Sequence, residues 1–415
     1  MNRREFLQAS GAMAALGVSA NPVSNAEADP GKTLPPWQPG CLDIHHIHTG
    51  RGNSTLAIFP DGTSLLIDAG ASGTLGPAMD LAQPSASLRP GQWIARYVQA
   101  QLASTPGPAL DYALVTHLHG DHIGDVTAQS PLAKDASYKL TGISDVAEVI
   151  PISRLIDRGY PSYDYPAKVS DPAGSNYVQF VRSAAARGAV IEQARPGAAD
   201  QIKLHNFPER YPGFAVRVLA ANGSVWIGNG EAGRPLFPPA MTLGRNPTAM
   251  ENSCSIALRI SYGKFSYLTC GDLNCDTNYG SDPWRDVETV AGEAAGPVSV
   301  ATCNHHGYFD ANGPAFVRAV RPRVWVLQSW HASHPALSTL ANLYSPVLYP
   351  GPRDVFCLGL HPAAALACGR FSDSFLSSQG HVVIRVMPGG EYSVLVIAAE
   401  DESRRIKAIF GPYSS

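Results

Sequence analysis

Hydrophobic and polar positions divide this chain into short apolar runs separated by turn residues. The first run is Leu42-Asp43-Ile44-His45-His46-Ile47-His48; Leu56-Ala57-Ile58-Phe59 and Leu65-Leu66-Ile67-Asp68 follow, with Pro60-Asp61-Gly62 between those two. Two β-rich runs around such a tripeptide predict a hairpin, and Asp68-Ala69-Gly70 ends it where the chain must bend. Trp93, Ile94, Tyr97 and Val98 have the i, i+1, i+4, i+5 spacing of one helical face and predict a helix over 92–101. The unbroken apolar run Tyr112-Ala113-Leu114-Val115 then predicts a buried strand.

From about 127 to 212 the pattern changes. Pro151, Pro161, Pro166 and Pro172 punctuate a Tyr-rich stretch with one predicted helix over 177–187, and the segment reads as an insertion that roofs whatever lies beneath it. Strands return at 215–219, at 256–260 and at 265–272 after a Tyr262-Gly263-Lys264 turn, so a second hairpin ends in an Asp as the first does. Further buried strands are expected at 298–301, 324–327, 382–386 and 392–397. No fixed-period repeat is present, which excludes a solenoid. Two groups of hairpins with helices interspersed predict an α/β fold, a four-layer αββα sandwich in which two packed sheets carry helices outside.

Composition narrows this only slightly. The 415 residues are 45% hydrophobic and 16% charged, with 39 Gly and 34 Pro, which suits a globular chain of short elements and excludes disorder, collagen and coiled coil. A net charge of −3 argues against binding long duplex nucleic acid through many phosphates and leaves a small molecule or short oligonucleotide as substrate.

The first 28 residues are set aside from the fold. Arg3-Arg4, then Phe6-Leu7, the weakly apolar stretch from Gly11 to Val18 and Ala26-Glu27-Ala28 resemble a twin-arginine export signal with its cleavage site. The expected mature chain, 29–415, is a single domain, periplasmic or secreted, delivered by the twin-arginine machinery and without a membrane span after signal removal. Its seven cysteines contain no C-x-x-C pair; Cys357 and Cys368 bracket a short loop where either a disulfide or two buried thiols would fit.

The chemistry concentrates in Thr116-His117-Leu118-His119-Gly120-Asp121-His122, at the end of the 112–115 strand. His117 and His119 project the same way from extended chain, and Gly120 turns Asp121 and His122 into a second wall. Imidazole and carboxylate donors at this density suit zinc, manganese or iron, with a position left for water; one or two divalent ions are expected, zinc first and manganese next.

This run resembles the signature of the metallo-β-lactamase fold superfamily, whose fold is the αββα sandwich. The resemblance extends to Asp68 as the structural Asp after the first hairpin, to Asp272 in Thr269-Cys270-Gly271-Asp272 as a metal-bridging Asp, and to Asn304-His305-His306-Gly307, which implies His305 or His306 as a ligand. With Asn252-Ser253 and His334-Pro335 the pattern is most similar to the hydrolase domain of competence-type DNA-uptake proteins, and it covers about 42–345 apart from the middle segment. The chain departs from the family where many members carry a further His before the second hairpin; Glu251-Asn252-Ser253 stands there instead.

The resemblance implies a metal-dependent hydrolase whose metal-bound hydroxide attacks a phosphodiester or other small ester. The expected metal ligands are His117, His119, Asp121, His122, Asp272 and His305 or His306, with Asp121 orienting the nucleophile. His334 is a candidate general acid for the leaving group. A lactone or β-lactam hydrolase, and a non-catalytic binding protein stapled by metal, are the alternative readings. Of the other histidines, one of His45, His46 and His48 is expected to pack under the site with the rest facing solvent, while His205, His361 and His381 are expected to be structural.

Overall fold

The computed structural model describes residues 28–73, 76–239 and 250–415. The expected export signal therefore lies outside the described residues, but for Ala28 at its end. Among the described residues, nine strands form one mixed sheet and eight form a second. No described helix is long and apolar enough to cross a membrane.

Period-two alternation explains why both faces of each sheet are covered. In the strand Leu110–Leu114 and its continuation, Tyr112 and Leu114 enter the core between the sheets, where they join Val218, Leu258, Ile260, Tyr267, Val300 and Val326 of the opposite sheet. Ala113 and Val115 instead pack outward, with Ile94 and Val98 of the helix Pro90–Leu102 and with Val181 of the helix Pro172–Ala186. The second sheet repeats the arrangement: Leu268, Trp325 and Leu327 face Ala291, Phe316 and Val317 of the helices Val287–Ala295 and Pro314–Val320. The order is therefore helix, sheet, sheet, helix, as the four-layer reading expects.

Topology decides where chemistry can sit. The strands Ser64–Ile67 and Leu110–Leu114 run parallel in the first sheet, and Phe265–Thr269, Val300–Thr302 and Val324–Leu327 run parallel in the second. Each of these strands is followed directly by one of the loops with candidate residues: Asp68, the 116–122 run, Asp272, Asn304–Gly307 and Trp330–His334. Loops at the carboxyl ends of parallel strands are where open α/β sheets place their ligands.

The expectation for the middle segment changes. The segment 127–212 is not set apart as an insertion, because Ile152–Asp157 and Val190–Gln193 extend the first sheet in parallel beyond Leu110–Leu114. What leaves the sheet is the excursion after Asp157, a strap that runs to the helix Pro172–Ala186. The cysteines are all free thiols, Cys357 and Cys368 included.

None of His45, His46 and His48 faces solvent, since both faces of their strand are covered. His46 Nδ1 lies 3.1 Å from the Val382 carbonyl and Nε2 3.0 Å from the Tyr267 hydroxyl; His45 Nδ1 is 3.1 Å from the Tyr97 hydroxyl. His381 accepts the His48 backbone N–H at 3.0 Å. Burial lowers the pKa of His45, brings His46 down to about 4 and brings His381 down to about 3. The fold thus keeps these imidazoles neutral while the unfolded chain takes up protons below about 6.5. Their contribution is fully present above that pH and is lost as pH falls toward 4 for His46 and toward 3 for His381. Between pH 7 and 5, His46 should account for about 2 kcal/mol of lost stability. Urea unfolding of His46→Gln beside the parent chain at pH 7 and pH 5 checks this: the variant should show a pH loss smaller by that amount, and equal losses would refute it.

Candidate metal centre

Asp68 fixes one end of the cluster. It sits in left-handed backbone, φ 60°, just after the strand Ser64–Ile67. Its Oδ1 accepts the Thr116 N–H at 2.7 Å, and its Oδ2 accepts the Thr116 hydroxyl at 2.7 Å and lies 2.7 Å from His122 Nδ1. Holding Nδ1 from behind leaves Nε2 as the outward nitrogen, the usual way a carboxylate orients a metal-binding imidazole.

The backbone around Asp121 is packed too closely for side chains. A Cβ on Gly70 would stand 1.9 Å from the Asp121 carbonyl oxygen, and one on Gly120 1.9 Å from Asp125 Oδ1. Glycine at both positions lets the turn Gly120–Ile123 close so that Asp121 and His122 reach the same space.

The second sheet delivers the opposing groups. Asp272 follows the strand Phe265–Thr269 and is buried; its Oδ1 lies 3.1 Å from His122 Nε2, and its Oδ2 lies 3.3 Å from His306 Nε2, 3.7 Å from His117 Nε2 and 3.8 Å from His305 Nε2. His306 Nε2 is also 2.8 Å from Asp121 Oδ2, with Nδ1 held 3.0 Å from Asn53 Oδ1. His305 and His306 both adopt left-handed backbone, φ 46° and 55°. Such a pair persists only where its surroundings hold it. Here the Asn304 side chain donates to buried Glu288 at 2.9 Å, and the Asn304 backbone N–H donates to Asn312 at 3.0 Å.

The ligand atoms of Asp121, His122, Asp272 and His306 all lie within 4.8 Å of one another. His122 Nε2 and Asp272 Oδ1 are both fully buried, and neither has a hydrogen-bond partner despite their 3.1 Å separation. Buried polar atoms almost always find a partner. Two that converge without bonding each other are aimed at a shared third object, and the donor set, two carboxylates and two imidazoles, is that of a hard or borderline divalent cation. These residues fit the metal that the sequence predicts.

A second position adjoins the first. His117 Nε2 and His119 Nδ1 are 3.1 Å apart, and Asp272 Oδ2 borders both positions. In place of a further histidine, Glu251 turns away: its Oε1 accepts the Leu118 N–H at 2.8 Å and the Arg158 Nε–H at 2.6 Å. Asn252 Nδ2 instead stands 3.3 Å from His305 Nε2, and Asn252 Oδ1 is buried with no partner. The gap in the sequence pattern is thus bordered by His305 and Asn252, with His305 oriented by Asp310 at 2.7 Å.

Charge is balanced within the cage. Burial opposes ionisation of Asp121 and Asp272, but His122 and His306 outweigh it and hold both carboxyls well below the usual carboxylate range. Burial likewise opposes a charge on His122, and Asp272, Asp68 and Asp121 reverse it, raising its pKa well above the ordinary value. His117 goes the other way: burial, reinforced by His122, leaves its imidazole neutral.

His334 follows the strand Val324–Leu327 and stacks on His306, ring centres 4.9 Å apart and planes at 24°. Its Nδ1 is buried without a partner. Burial, and then the neighbouring His306 and His305, press its pKa well below the ordinary value. Trp330 packs edge-on to both rings, 5.6 Å from His306 and 5.4 Å from His334, and its indole N–H is also buried without an acceptor. His331 turns to Ser333 at 2.9 Å. His205 pairs with the Tyr112 hydroxyl at 2.6 Å, and His361 caps the helix Pro362–Cys368.

Sequence reasoning missed Asn53, Asp310, Glu251, Arg158 and Trp330 as supports of the centre. Only Asp310, five residues after His305, carried a local signal.

Residues 48–129 match the family model described as the metallo-beta-lactamase superfamily. No curated protein matches the chain. Among solved structures the chain is similar to zinc-bound PqqB from Methylobacterium extorquens, at 13% identity over 83% of this chain and 99% of that one, with a TM-score of 0.39. It is also similar to CmlA, a diiron beta-hydroxylase from Streptomyces venezuelae, at 12% identity over 85% of this chain and 55% of that one, with a TM-score of 0.36. The chain spans about half the length of CmlA.

Proposed function

We propose that this chain is a metal-dependent hydrolase acting on a small phosphodiester. The observation that carries the reading is the convergence of Asp121, His122, Asp272 and His306, with two buried ligand atoms left unpartnered in the middle. These four residues would hold one divalent ion, zinc or manganese, and His117 and His119 would share Asp272 with a second. A divalent cation in such a cage acidifies coordinated water toward a pKa of about 7 and polarises an ester oxygen.

The chain's own residues supply orientation and hydrogen bonds. Asp68, Asn53 and Asp310 fix the rings of His122, His306 and His305 from behind. Asp121, ionised and 2.8 Å from His306 Nε2, is the carboxylate best placed to orient a nucleophile. His334 is held neutral, so its proposed part is to donate a hydrogen bond to the leaving-group oxygen, not to deliver a proton from an imidazolium. The phosphodiester preference is supported by the competence-like pattern of Asn252-Ser253, His305-His306-Gly307 and His334-Pro335.

The test is the metal content of the purified full chain, paired with turnover of bis(p-nitrophenyl) phosphate, a lactone and a β-lactam. One or two bound ions and metal-dependent cleavage of the phosphodiester are expected. Cleavage of the lactone or β-lactam alone would move the substrate class, and bound metal with no hydrolysis of any of the three would leave the metal as a structural staple.

A further inference from the structure

Asn252 opens a short turn, Asn252–Cys254, that leads into the strand Ala257–Tyr262. Two contacts place it beside the second metal position. The preceding residue, Glu251, accepts the N–H of Leu118, which lies between His117 and His119 in the chain, at 2.8 Å. Asn252 Nδ2 is 3.3 Å from His305 Nε2, and that nitrogen is 3.8 Å from Asp272 Oδ2, the oxygen that His117 Nε2 approaches to 3.7 Å. Asn252 is therefore tied to the 117–119 run on one side and to His305 and Asp272 on the other.

Hydrogen-bond chemistry decides which way its amide points. His305 Nδ1 lies 2.7 Å from Asp310 Oδ1, so Nδ1 carries the proton that this carboxylate accepts. In the neutral ring Nε2 is then an acceptor, and only the NH₂ of Asn252 can satisfy it. Burial opposes a charge on the His305 ring, while Asp272 and Asp310 favour one and raise its pKa above the ordinary value. With Asp272 engaged on a cation, the neutral ring is favoured. Asp310, His305 and Asn252 thus form a chain that holds the amide by its nitrogen. Its free end is Asn252 Oδ1, buried and without a hydrogen-bond partner among the described residues. An amide oxygen left this way costs stability unless something bound to the site completes it. His305 Nε2, occupied by Asn252, has no lone pair left for a metal.

We propose that Asn252 Oδ1 supplies the further protein ligand of the ion shared by His117, His119 and Asp272, and that His305 is the residue that positions Asn252. The inference rests on the metal reading of this centre and not on hydrolysis. An amide oxygen beside two imidazoles and a carboxylate makes this position richer in oxygen than a site of imidazoles and thiolates, which opens it to manganese as well as zinc.

The test is titration calorimetry of the full chain with Zn²⁺ alone, after bound metal has been removed by a chelator. The parent chain should bind two ions. Asn252→Ala should leave the first ion's affinity unchanged and weaken the second by more than about 100-fold, beyond the loss typical of a group that only supports a ligand. His305→Ala should weaken the second ion by about 10- to 100-fold, the range of such a support. Asn252→Asp, which keeps an oxygen at the same place, should retain the second ion, and with His305→Ala it decides the matter if Asn252→Ala lowers the thermal midpoint. One ion in the parent chain, two ions held with full affinity by Asn252→Ala, or loss of the second ion from Asn252→Asp would each overturn the proposal. A greater loss in His305→Ala than in Asn252→Ala would also overturn it, by making His305 the ligand. Two ions held through Asn252 with no cleavage of bis(p-nitrophenyl) phosphate would leave the ligand standing and sink the phosphodiester reading instead.

Discussion

Asp272→Asn is expected to cost the protein at least one metal ion and nearly all hydrolysis. The substitution keeps shape and packing, so a loss cannot be assigned to collapse of the buried loop after Phe265–Thr269. What changes is charge. The carboxylate approaches four imidazoles, at 3.1 Å from His122, 3.3 Å from His306, 3.7 Å from His117 and 3.8 Å from His305. An amide presents one oxygen and one NH₂, so it would turn a donor toward at least one nitrogen that must offer a lone pair to metal. Loss of a group that only supports a ligand typically weakens metal binding by about 10- to 100-fold; loss of Asp272, proposed as a ligand itself, should exceed that. Asp68→Asn supplies the comparison, because Asp68 holds His122 Nδ1 and Thr116 from behind and does not itself converge with the four ligand atoms, so its effect should stay in the lower range. Metal content by mass spectrometry and the gain in thermal midpoint on adding zinc measure both. An Asp272→Asn protein with full metal and full rate would remove Asp272 from the centre.

The contrast between Asp272 and its supports also shows what a sequence carries. The 116–122 run is contiguous, so its ligands are visible as a pattern, and the parallel strands that bring Asp272 and His306 opposite it leave motifs at their carboxyl ends. Asn53 reaches the centre through space from a loop with no periodicity of its own, and nothing local marks it; Glu251 stands where the family pattern has a further His, but nothing local shows that it holds the Leu118 N–H and Arg158. The same logic governs the strands. Val324–Leu327 and Tyr392–Ile397 are buried along their length and read as apolar runs. Ile406–Tyr413 lies at a sheet edge with most of its length partly exposed, and it contains a Gly-Pro pair, so its pattern is diluted. The Ile152–Asp157 strand near the other edge carries Arg154 within it and was absorbed into a Pro-rich stretch for the same reason. His45, His46 and His48 invert the problem. Two of the three are expected from sequence to face water, but helices cover the outer face of that sheet, and burial of both faces can be known only once the layers are assembled.

His334→Ala should separate a ligand from a group that works on the substrate. The imidazole stacks on His306 at 4.9 Å but is not one of the four residues whose ligand atoms converge, so its removal should leave metal content unchanged. Its Nδ1 is buried and unpartnered, an arrangement that costs stability unless something bound to the site completes it. If that partner is the leaving-group oxygen, the hydrogen bond strengthens as negative charge develops there and is worth most in the transition state. Removing one donor of this kind typically slows turnover by about 10² to 10³. The deficit should narrow along a series of aryl phosphodiesters as the leaving phenol becomes more acidic, because a good leaving group gains less from a donor. A merely structural role would lower rates by the same factor across the series. His334→Gln, whose amide still donates, should recover part of the loss on the poorest leaving groups. Emptying of the metal centre in His334→Ala would make His334 a ligand, and an unchanged rate on every ester would leave it a packing partner of His306.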